Sequence, residues 1–304
     1  MFKKLPVLLA AWCALLLTGC LEFERQTLTF HYDAKTDTLR MFQNYQGIFG
    51  VDKADALSDQ ELEQLQSVLS TPRTFFFANW ILEYNRDLVS EKLAESKTPG
   101  ANETAAAAAA RARLGTLLQS LLDNVRVEND GFHLDEKGKL CGVQRVTVTR
   151  VSKLVAAGNE SIRNALKVDY EGSTAEERAL YAKSAAGPAD YIQIEGNQIR
   201  LRFPITRADF EKNFGPNADA NKLLEEFRRS GGTLVFADNE LKWSISKPAE
   251  TTTSVTLPVS DKPYVSNLLA AVKKKSIAVR EKFEPEAAAK EFLGAASKTD
   301  KPSK

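Results

Sequence analysis

The chain has few of the side chains that most often act as an imidazole base or a thiol nucleophile, with two histidines and three cysteines. His31 and His133 are its two histidines, so any imidazole base or histidine metal ligand must be one of them. His31 lies on the polar face of a predicted strand, and His133 follows a predicted turn, so both are interpreted as surface groups. Cys141 enters a predicted strand with no base or orienting group near it in the sequence. It is interpreted as a small buried apolar residue.

A serine–lysine pair gives the next candidate for catalysis. Ser244 and Lys247 fit the bare Ser-x-x-Lys pattern of serine acyltransfer enzymes. That chemistry places the two side chains one helical turn apart, whereas Leu241, Trp243 and Ile245 alternate as in a strand. The match is therefore interpreted as chance. The sequence has no Gly-x-Ser-x-Gly elbow, P-loop, His-Glu-x-x-His motif or paired-cysteine metal site, so it predicts no cofactor. A carboxylate pair of the glycosidase kind stays open, because sequence spacing does not report its separation.

Arg200 and Arg202 are the candidates for anion binding. They project from one face of the strand "QIRLRF", opposite Ile199, Leu201 and Phe203. Two guanidinium groups about 7 Å apart on a sheet could bind a carboxylate or a phosphate. The alternative is a solvated face on which each arginine pairs with a nearby acidic side chain.

The first residues have the three parts of a secretory signal. Lys3 and Lys4 form the charged start, residues 5–17 form an apolar run, and small residues precede the cut. The run is too short to span a bilayer core of about 30 Å, which requires roughly 20 helical residues. We therefore expect export without a retained transmembrane anchor.

The end of this signal, Leu17-Thr18-Gly19-Cys20, resembles the lipobox of bacterial lipoproteins. The resemblance covers only the leader and Cys20. It implies that the Cys20 thiol receives a diacylglyceryl group, that the signal is cut before Cys20, and that the new amino group can be acylated. Two or three acyl chains at about 0.8 kcal/mol per buried methylene attach a protein stably to a membrane. The alternatives are an ordinary signal peptide or a core helix with a chance cysteine.

The same resemblance implies a location in the cell envelope. In enterobacteria-like lipoproteins, an aspartate after the lipidated cysteine resembles an inner-membrane retention signal. Leu21 holds that position here. We therefore expect the protein to be lipid-anchored to the outer membrane and to face the periplasm.

Composition bounds the mature chain. Loss of residues 1–19 leaves 285 of the 304 residues, which is enough for one large domain or two small ones. The leader carries Lys3 and Lys4, so the 41 basic groups become 39 against 40 acidic groups. This near-neutral balance argues against nucleic acid as a partner. Cys13 leaves with the leader and Cys20 carries lipid, so Cys141 is alone and predicts no internal disulfide.

Alternation and turn residues predict an α+β fold, in which an antiparallel, hairpin-rich sheet has helices packed on one face. A strand over residues 27–32, a turn over 33–37 and a return strand over 38–45 form the first hairpin. Three later hairpins are "VRVENDGFHLDEKGKLCGVQRVTVTRV", "YIQIEGNQIRLRFPI" and "TLVFADNELKWSIS", with turns expected at Asn129-Asp130-Gly131, Glu195-Gly196-Asn197 and Asp238-Asn239. "TTSVTLPVS" adds another strand. Whether these hairpins are true repeats is left open.

Helical periodicity and capping signals predict the helices. A capping box at Ser58 and Glu61 opens a helix over residues 58–70, and "AAAAAARARLGTLLQSLLDNV", with its alanine run at the start and a leucine stripe, predicts another. Further helices are expected over residues 86–95, 151–168, 174–185, 206–214, 219–230 and 264–283. The helix over residues 219–230 is expected to end at Gly231 and Gly232.

These elements predict a signal peptide over residues 1–19, a globular domain over 20–283 and a flexible tail over 284–304. A division into two lobes near residues 97–104 is an alternative to a single unit. The first functional hypothesis is a non-catalytic lipoprotein that binds or scaffolds an envelope protein. The second is an exported hydrolase of cell-wall or glycan substrates. The third, a solute-binding lipoprotein, is disfavoured because such proteins have alternating βαβ lobes.

Overall fold

The computed structural model describes residues 21–50, 58–59, 61–63, 65, 74–77, 82–100, 103–167, 174–188, 190–195, 198–204, 206–208, 232–237, 240–246, 253–258, 267–274 and 277–294. Over these residues the fold is α+β with sheets that are mostly antiparallel, so the predicted fold class is confirmed. Within the same ranges, no helix is long and apolar enough to cross a membrane.

The strands are β1 (Leu21–Asp33), β2 (Thr38–Gly50), β3 (Thr74–Phe77), β4 (Leu82–Asn85), β5 (Val125–Leu134), β6 (Leu140–Thr149), β7 (Ile192–Glu195), β8 (Gln198–Phe203), β9 (Gly232–Ala237), β10 (Glu240–Ser246), β11 (Thr253–Pro258) and β12 (Val279–Arg280). The helices are α1 (Arg86–Ser96), α2 (Ala105–Asn124), α3 (Val151–Leu166), α4 (Ala175–Ala186), α5 (Asn267–Lys274) and α6 (Pro285–Gly294).

A six-stranded sheet in the order β11-β1-β2-β6-β5-β12 forms the centre of the molecule. The predicted first hairpin is confirmed, and it is long: β1 and β2 pair from Leu21 with Gly50 to Asp33 with Thr38. At its turn, Asp33 accepts a hydrogen bond from the backbone N–H of Lys35 at 2.9 Å, as turn-forming aspartates do. The result is one continuous pleated surface on which β6 and then β5 are added.

The turn predicted at Asn129-Asp130-Gly131 is wrong. β5 continues through these residues to Leu134, and the turn to β6 lies over residues 135–139, where Asp135 accepts from the backbone N–H of Lys139 at 2.7 Å. Asn129-Asp130-Gly131 is instead a β-bulge, in which Asp130 is the extra residue and Gly131 has a φ of 84°. A glycine with positive φ suits a bulge as well as a turn, which is why the sequence pattern misled.

A second sheet in the order β7-β8-β10-β9 contains the other two predicted hairpins, which are confirmed. Glu195 pairs with Gln198 and Ala237 pairs with Glu240, so each connection is two residues long. Both sheets contribute to one hydrophobic cluster. Its buried members are Leu28, Phe30, Leu39, Tyr84, Val125, Val127, Val146, Val148, Val151, Leu234, Leu241 and Trp243. This first cluster is the main core of the molecule.

A row of buried polar side chains crosses the large sheet on its core face. Gln26 donates to Gln43 at 2.6 Å, Tyr45 donates to Gln144 at 2.8 Å, and Gln144 donates to Asn129 at 2.7 Å. The row joins four adjacent strands, and its hydrogen bonds offset the cost of burying the amides. Beyond it lies a second hydrophobic cluster, made of Leu21, Phe23, Tyr45, Ile48, Phe49, Leu65, Phe132, Leu140 and Val272.

The predicted helix starts are well reproduced. In the capping box, Ser58 N–H donates to Glu61 at 2.9 Å, and the Glu61 N–H donates to Ser58 Oγ at 3.3 Å. The helices predicted over 86–95, 151–168 and 174–185 correspond to α1, α3 and α4, and the leucine-rich helix is α2. In α2, Leu117 and Leu118 are buried, whereas Leu114 is exposed. Two predicted helices cannot be compared in full, because the described residues exclude all of 219–230 and most of 206–214. Gly231 also lies outside the described residues, and Gly232 begins β9.

Residues before and after the 97–104 stretch are in contact with each other. Arg111 of α2 donates to both carboxylate oxygens of Glu103 at 2.9 Å and to the carbonyl of Ser96 at the end of α1 at 2.6 Å. Tyr84 precedes this stretch, and it shares the first hydrophobic cluster with Val125 and the strands that follow.

The predicted C-terminal helix over residues 264–283 is wrong in its extent. α5 ends at Lys274, and the N–H of Ile277 donates to the carbonyl of Val272, which is a bonding pattern of helix termination. The chain then forms β12, which is parallel to β5. The flexible tail expected from residue 284 is also wrong in its first part, because α6 packs Ala289 against Phe42 and Val143. Residues 295–304 lie outside the described ranges.

Candidate functional site

The two arginines singled out in the sequence lie on β8, on the face away from the first cluster, and both have polar partners. Arg202 is stacked 5.2 Å from the Tyr191 ring, donates to Asp190 and to the Pro188 carbonyl, and brings Nε to 3.1 Å from Glu240 Oε2. Arg200 donates to Gln198 and lies 3.9 Å from Glu195. These contacts match the alternative of local acidic partners, so the pair is a weak candidate for a ligand site.

The bulge brings together Cys141 and His133, two side chains that the sequence did not connect. They are directly opposite each other on β6 and β5, so both project from the same face of the sheet. His133 was expected at the surface, but it is only 2 % exposed, and its ring packs 4.7 Å from that of Phe283. The surface assignment of His133 is therefore wrong. It followed from placing the turn at Gly131, since the bulge reverses which residues face inward from there on.

The environment of this Cys–His pair opposes catalysis. Burial raises the pKa of the Cys141 thiol to about 11, which disfavours the thiolate that acts as a nucleophile. Burial and the nearby Arg280 charge lower the pKa of His133 to about 4, which disfavours the imidazolium that would stabilise a thiolate. Both groups are therefore neutral near pH 7. Cys141 is buried, as predicted from the sequence.

The other sequence candidates do not assemble with this pair. Ser244 lies in β10 opposite Arg200 and Thr233, and Lys247 lies outside the described residues. His31 pairs with Arg40 across β1 and β2, far along the sheet from His133. Over the described ranges, no cluster of three or more His, Cys, Asp or Glu side chains is arranged to hold a metal ion.

The bulge also forms one wall of an open cleft of about 420 Å³, lined by Arg126, Glu128, Asn129, Asp130 and Arg145. We call it the arginine cleft. Arg145 Nη2 donates to Asp130 at 2.7 Å, and Arg126 Nη2 lies 2.6 Å from Glu128. The bulge positions Asp130 for this contact, since an extra residue at a bulge re-aims the side chains beside it.

Strand register places a third arginine beside this cleft. Thr147 of β6 pairs with Arg126 of β5 on one side and with Arg40 of β2 on the other, and Arg145 is two residues before Thr147. All four side chains therefore project from the same face of the sheet, with Cβ separations from Thr147 of about 5 to 7 Å. The three arginines surround Thr147.

Two N–H groups of these arginines have no hydrogen-bond partner in the described structure. They are Arg145 Nε and Arg40 Nη1, and both atoms are enclosed. The arginine cleft therefore combines a cavity with the guanidinium groups of Arg126 and Arg145, and strand register places Arg40 beside it.

Alternation in the sequence could have put Arg145 and Thr147 on one face, but it could not show that Arg40 and Arg126 are their neighbours. That information lies in the pairing of β2, β6 and β5. Comparison of the chain with protein-family models, with curated proteins and with solved structures finds no match.

Proposed function

We propose that this chain is a lipid-anchored protein of the cell envelope that works by binding a partner and not by catalysis. The observation that carries the proposal is the junction between the lipobox and the fold. β1 begins at Leu21, the residue directly after Cys20, and both Leu21 and Phe23 are 4 % exposed. An acyl group on Cys20 would therefore be attached to the end of a packed sheet without a spacer.

This junction has a consequence for the position of the domain. Gly50 and the 135–139 turn lie at the same end of the sheet as Leu21. With Cys20 acylated, that end would be held close to the bilayer surface. The opposite end, at the turn after Asp33, could lie as far as about 40 Å away if the strands stand upright.

The buried Cys–His pair gives no support to thiol catalysis, because burial favours the neutral thiol and the neutral imidazole. The outer membrane, with the domain facing the periplasm, remains the location that we propose from Leu21. The partner would be another envelope protein or a soluble envelope component.

Metabolic labelling with a radioactive fatty acid tests the anchor. We expect label on the wild-type chain and none on Cys20→Ser, which should keep its signal uncut or aberrantly cut. Cys13→Ser is the matched control, since it removes a thiol from the same leader. We expect it to be labelled like the wild type. Equal label on the wild type and Cys20→Ser would end the lipoprotein proposal.

A sucrose gradient of the labelled membranes then separates the two membrane locations, and we expect the protein in the outer-membrane fraction. Gentle detergent extraction followed by identification of co-purifying proteins addresses the partner. A reproducible partner that is retained by the wild type supports the scaffold role.

A further inference from the structure

We propose that the arginine cleft is a binding site for a soluble ligand that presents a carboxylate or phosphate group. The site goes beyond the proposed anchoring, and its existence does not depend on acylation. Arg126 and Arg145 line the cleft, and strand register places Arg40 beside them on the same sheet face, so that the three arginines surround Thr147.

The charges of the cleft are incompletely matched. Arg145 pairs with Asp130, and Arg126 pairs with Glu128, whereas Arg40 adds a third positive charge beside them. Three arginines thus lie on this part of the sheet face, and two of them pair with a carboxylate. A further oxyanion would balance this excess, and planar guanidinium groups bind carboxylate and phosphate oxygens in a bidentate manner.

The internal ion pair of Arg126 is easily exchanged for a ligand. Its side chain is 76 % exposed and that of Glu128 is 42 % exposed, so solvent and salt screen the attraction between them. Arg145 is more enclosed, at 31 % exposed, and its Nε has no partner. Arg126 is therefore available to capture the oxyanion, and Arg145, which Asp130 holds in place, adds a second guanidinium group beside it.

The position of the cleft favours a soluble source of the oxyanion over the headgroups of the anchoring membrane. Arg145 pairs with Phe42, which pairs with Thr29 of β1. Thr29 is eight residues along β1 from Leu21, which corresponds to about 26 Å of strand. This choice of source does rest on the proposed anchor at Cys20.

Titration calorimetry on the full lipoprotein in detergent at low ionic strength tests the site, with citrate and inorganic phosphate as probes. We expect saturable binding of at least one probe. Arg126→Gln and Arg145→Gln should each weaken it about tenfold or more, as loss of a charged donor does. Arg200→Gln is the matched control, because it removes an exposed sheet arginine elsewhere, and it should bind like the wild type.

Glu128→Gln tests the opposite change, a gain of probe binding. It removes the internal carboxylate that competes for Arg126, so we expect it to bind the probe more tightly than the wild type. A purely structural role of these residues would predict no such gain. Thermal midpoints without ligand show whether each variant is folded, and Arg126→Gln should be, since its side chain is largely exposed.

Three outcomes would overturn the proposal. The first is no saturable binding of either probe at millimolar concentrations. The second is equal binding by the wild type, Arg126→Gln and Glu128→Gln. The third distinguishes the source: in phosphatidylglycerol nanodiscs, loss of citrate binding relative to phosphatidylcholine nanodiscs would place a lipid headgroup in the cleft. Because we expect detergent-solubilised protein to bind the probes whether or not Cys20 is acylated, failure here is distinguishable from failure of the anchor.

Discussion

His133 is a titratable side chain that the fold encloses almost completely. It is 2 % exposed, its Nδ1 has no hydrogen-bond partner among the described residues, and Phe283 packs on its ring. Arg280 adds a nearby positive charge, while Asp135 partly opposes it. Protonation inside the fold is therefore unfavourable, and the pKa of His133 falls from 6.5 to about 4.

This shift predicts acid sensitivity. In the unfolded chain the imidazole binds a proton near pH 6.5, whereas in the folded chain it does so only near pH 4. Between these values the unfolded state binds more protons, so the free energy of unfolding falls as the pH falls. The loss should reach about 3 kcal/mol below pH 4. Urea unfolding between pH 4 and 7 should show a smaller decline for His133→Phe than for the wild type. Equal declines would contradict the burial argument.

For single residues, the sequence predicted burial better than it predicted which side chains are neighbours on adjacent strands. Cys141 is buried, as predicted. The prediction was possible because a lone small thiol in a strand usually packs in a core. The location of His133 was missed because the turn was placed at Gly131, where β5 has a bulge that reverses the facing of the residues after it. The arginines around Thr147 were missed because neither spacing nor alternation within one strand shows which residue stands opposite on the next strand.

At the scale of elements, α6 is the helix that the sequence did not predict. It covers the face of the sheet opposite the polar row: Ala289 is 6 % exposed, and the partly buried Phe292 packs with Phe42 and Val143. Arg145 also lies over the Phe292 ring at 5.6 Å. The helix has two large apolar residues, Phe292 and Leu293, and its Ala288, Ala289 and Phe292 pack against Phe42 and Val143 of the sheet.

Deletion of residues 285–304 should therefore destabilise the protein by about 3 to 5 kcal/mol, because it removes buried Leu293 and exposes Phe42 and Val143. Deletion from Ala296 onward is the matched control, and it should change stability by less than about 0.5 kcal/mol. Urea unfolding of both truncations decides the matter. Equal stabilities of the two would show that α6 contributes little.

The helix boundaries that were mispredicted have a physical cause. Leu268, Leu269 and Val272 have helical spacing, so the start of α5 was predictable. Ile277 and Val279 then alternate as in a strand, but this run is too short to outweigh a helical pattern in sequence. β12 forms because β5 offers an edge on which it can pair, which is a tertiary effect. The β1–β2, β7–β8 and β9–β10 hairpins were predictable because their polar turns and alternation are local, whereas the β5–β6 turn was placed too early.

At the scale of the whole molecule, the first hydrophobic cluster joins parts of the chain that are far apart in sequence. Tyr84 lies before residues 97–104, and Trp243 lies in the second sheet, yet both are buried in that cluster. The α+β class could be inferred from local patterns alone. The packing of two sheets on one core could not, because it depends on contacts across the full length of the chain.

A shared core predicts that the described parts of the chain unfold together, and a probe in one part should report a change in another. In a Trp80→Phe background, Trp243 is the only tryptophan outside the leader, so its fluorescence reports the second sheet. Far-UV circular dichroism reports all helices and strands. We expect the two urea transitions to coincide.

Tyr84→Ala removes a ring that is 8 % exposed, so it should lower the free energy of unfolding by about 3 to 5 kcal/mol. It should shift both transitions equally, although Tyr84 and Trp243 lie on opposite sides of residues 97–104. Separate midpoints, or a Trp243 transition that Tyr84→Ala leaves unchanged, would instead indicate two lobes that fold independently.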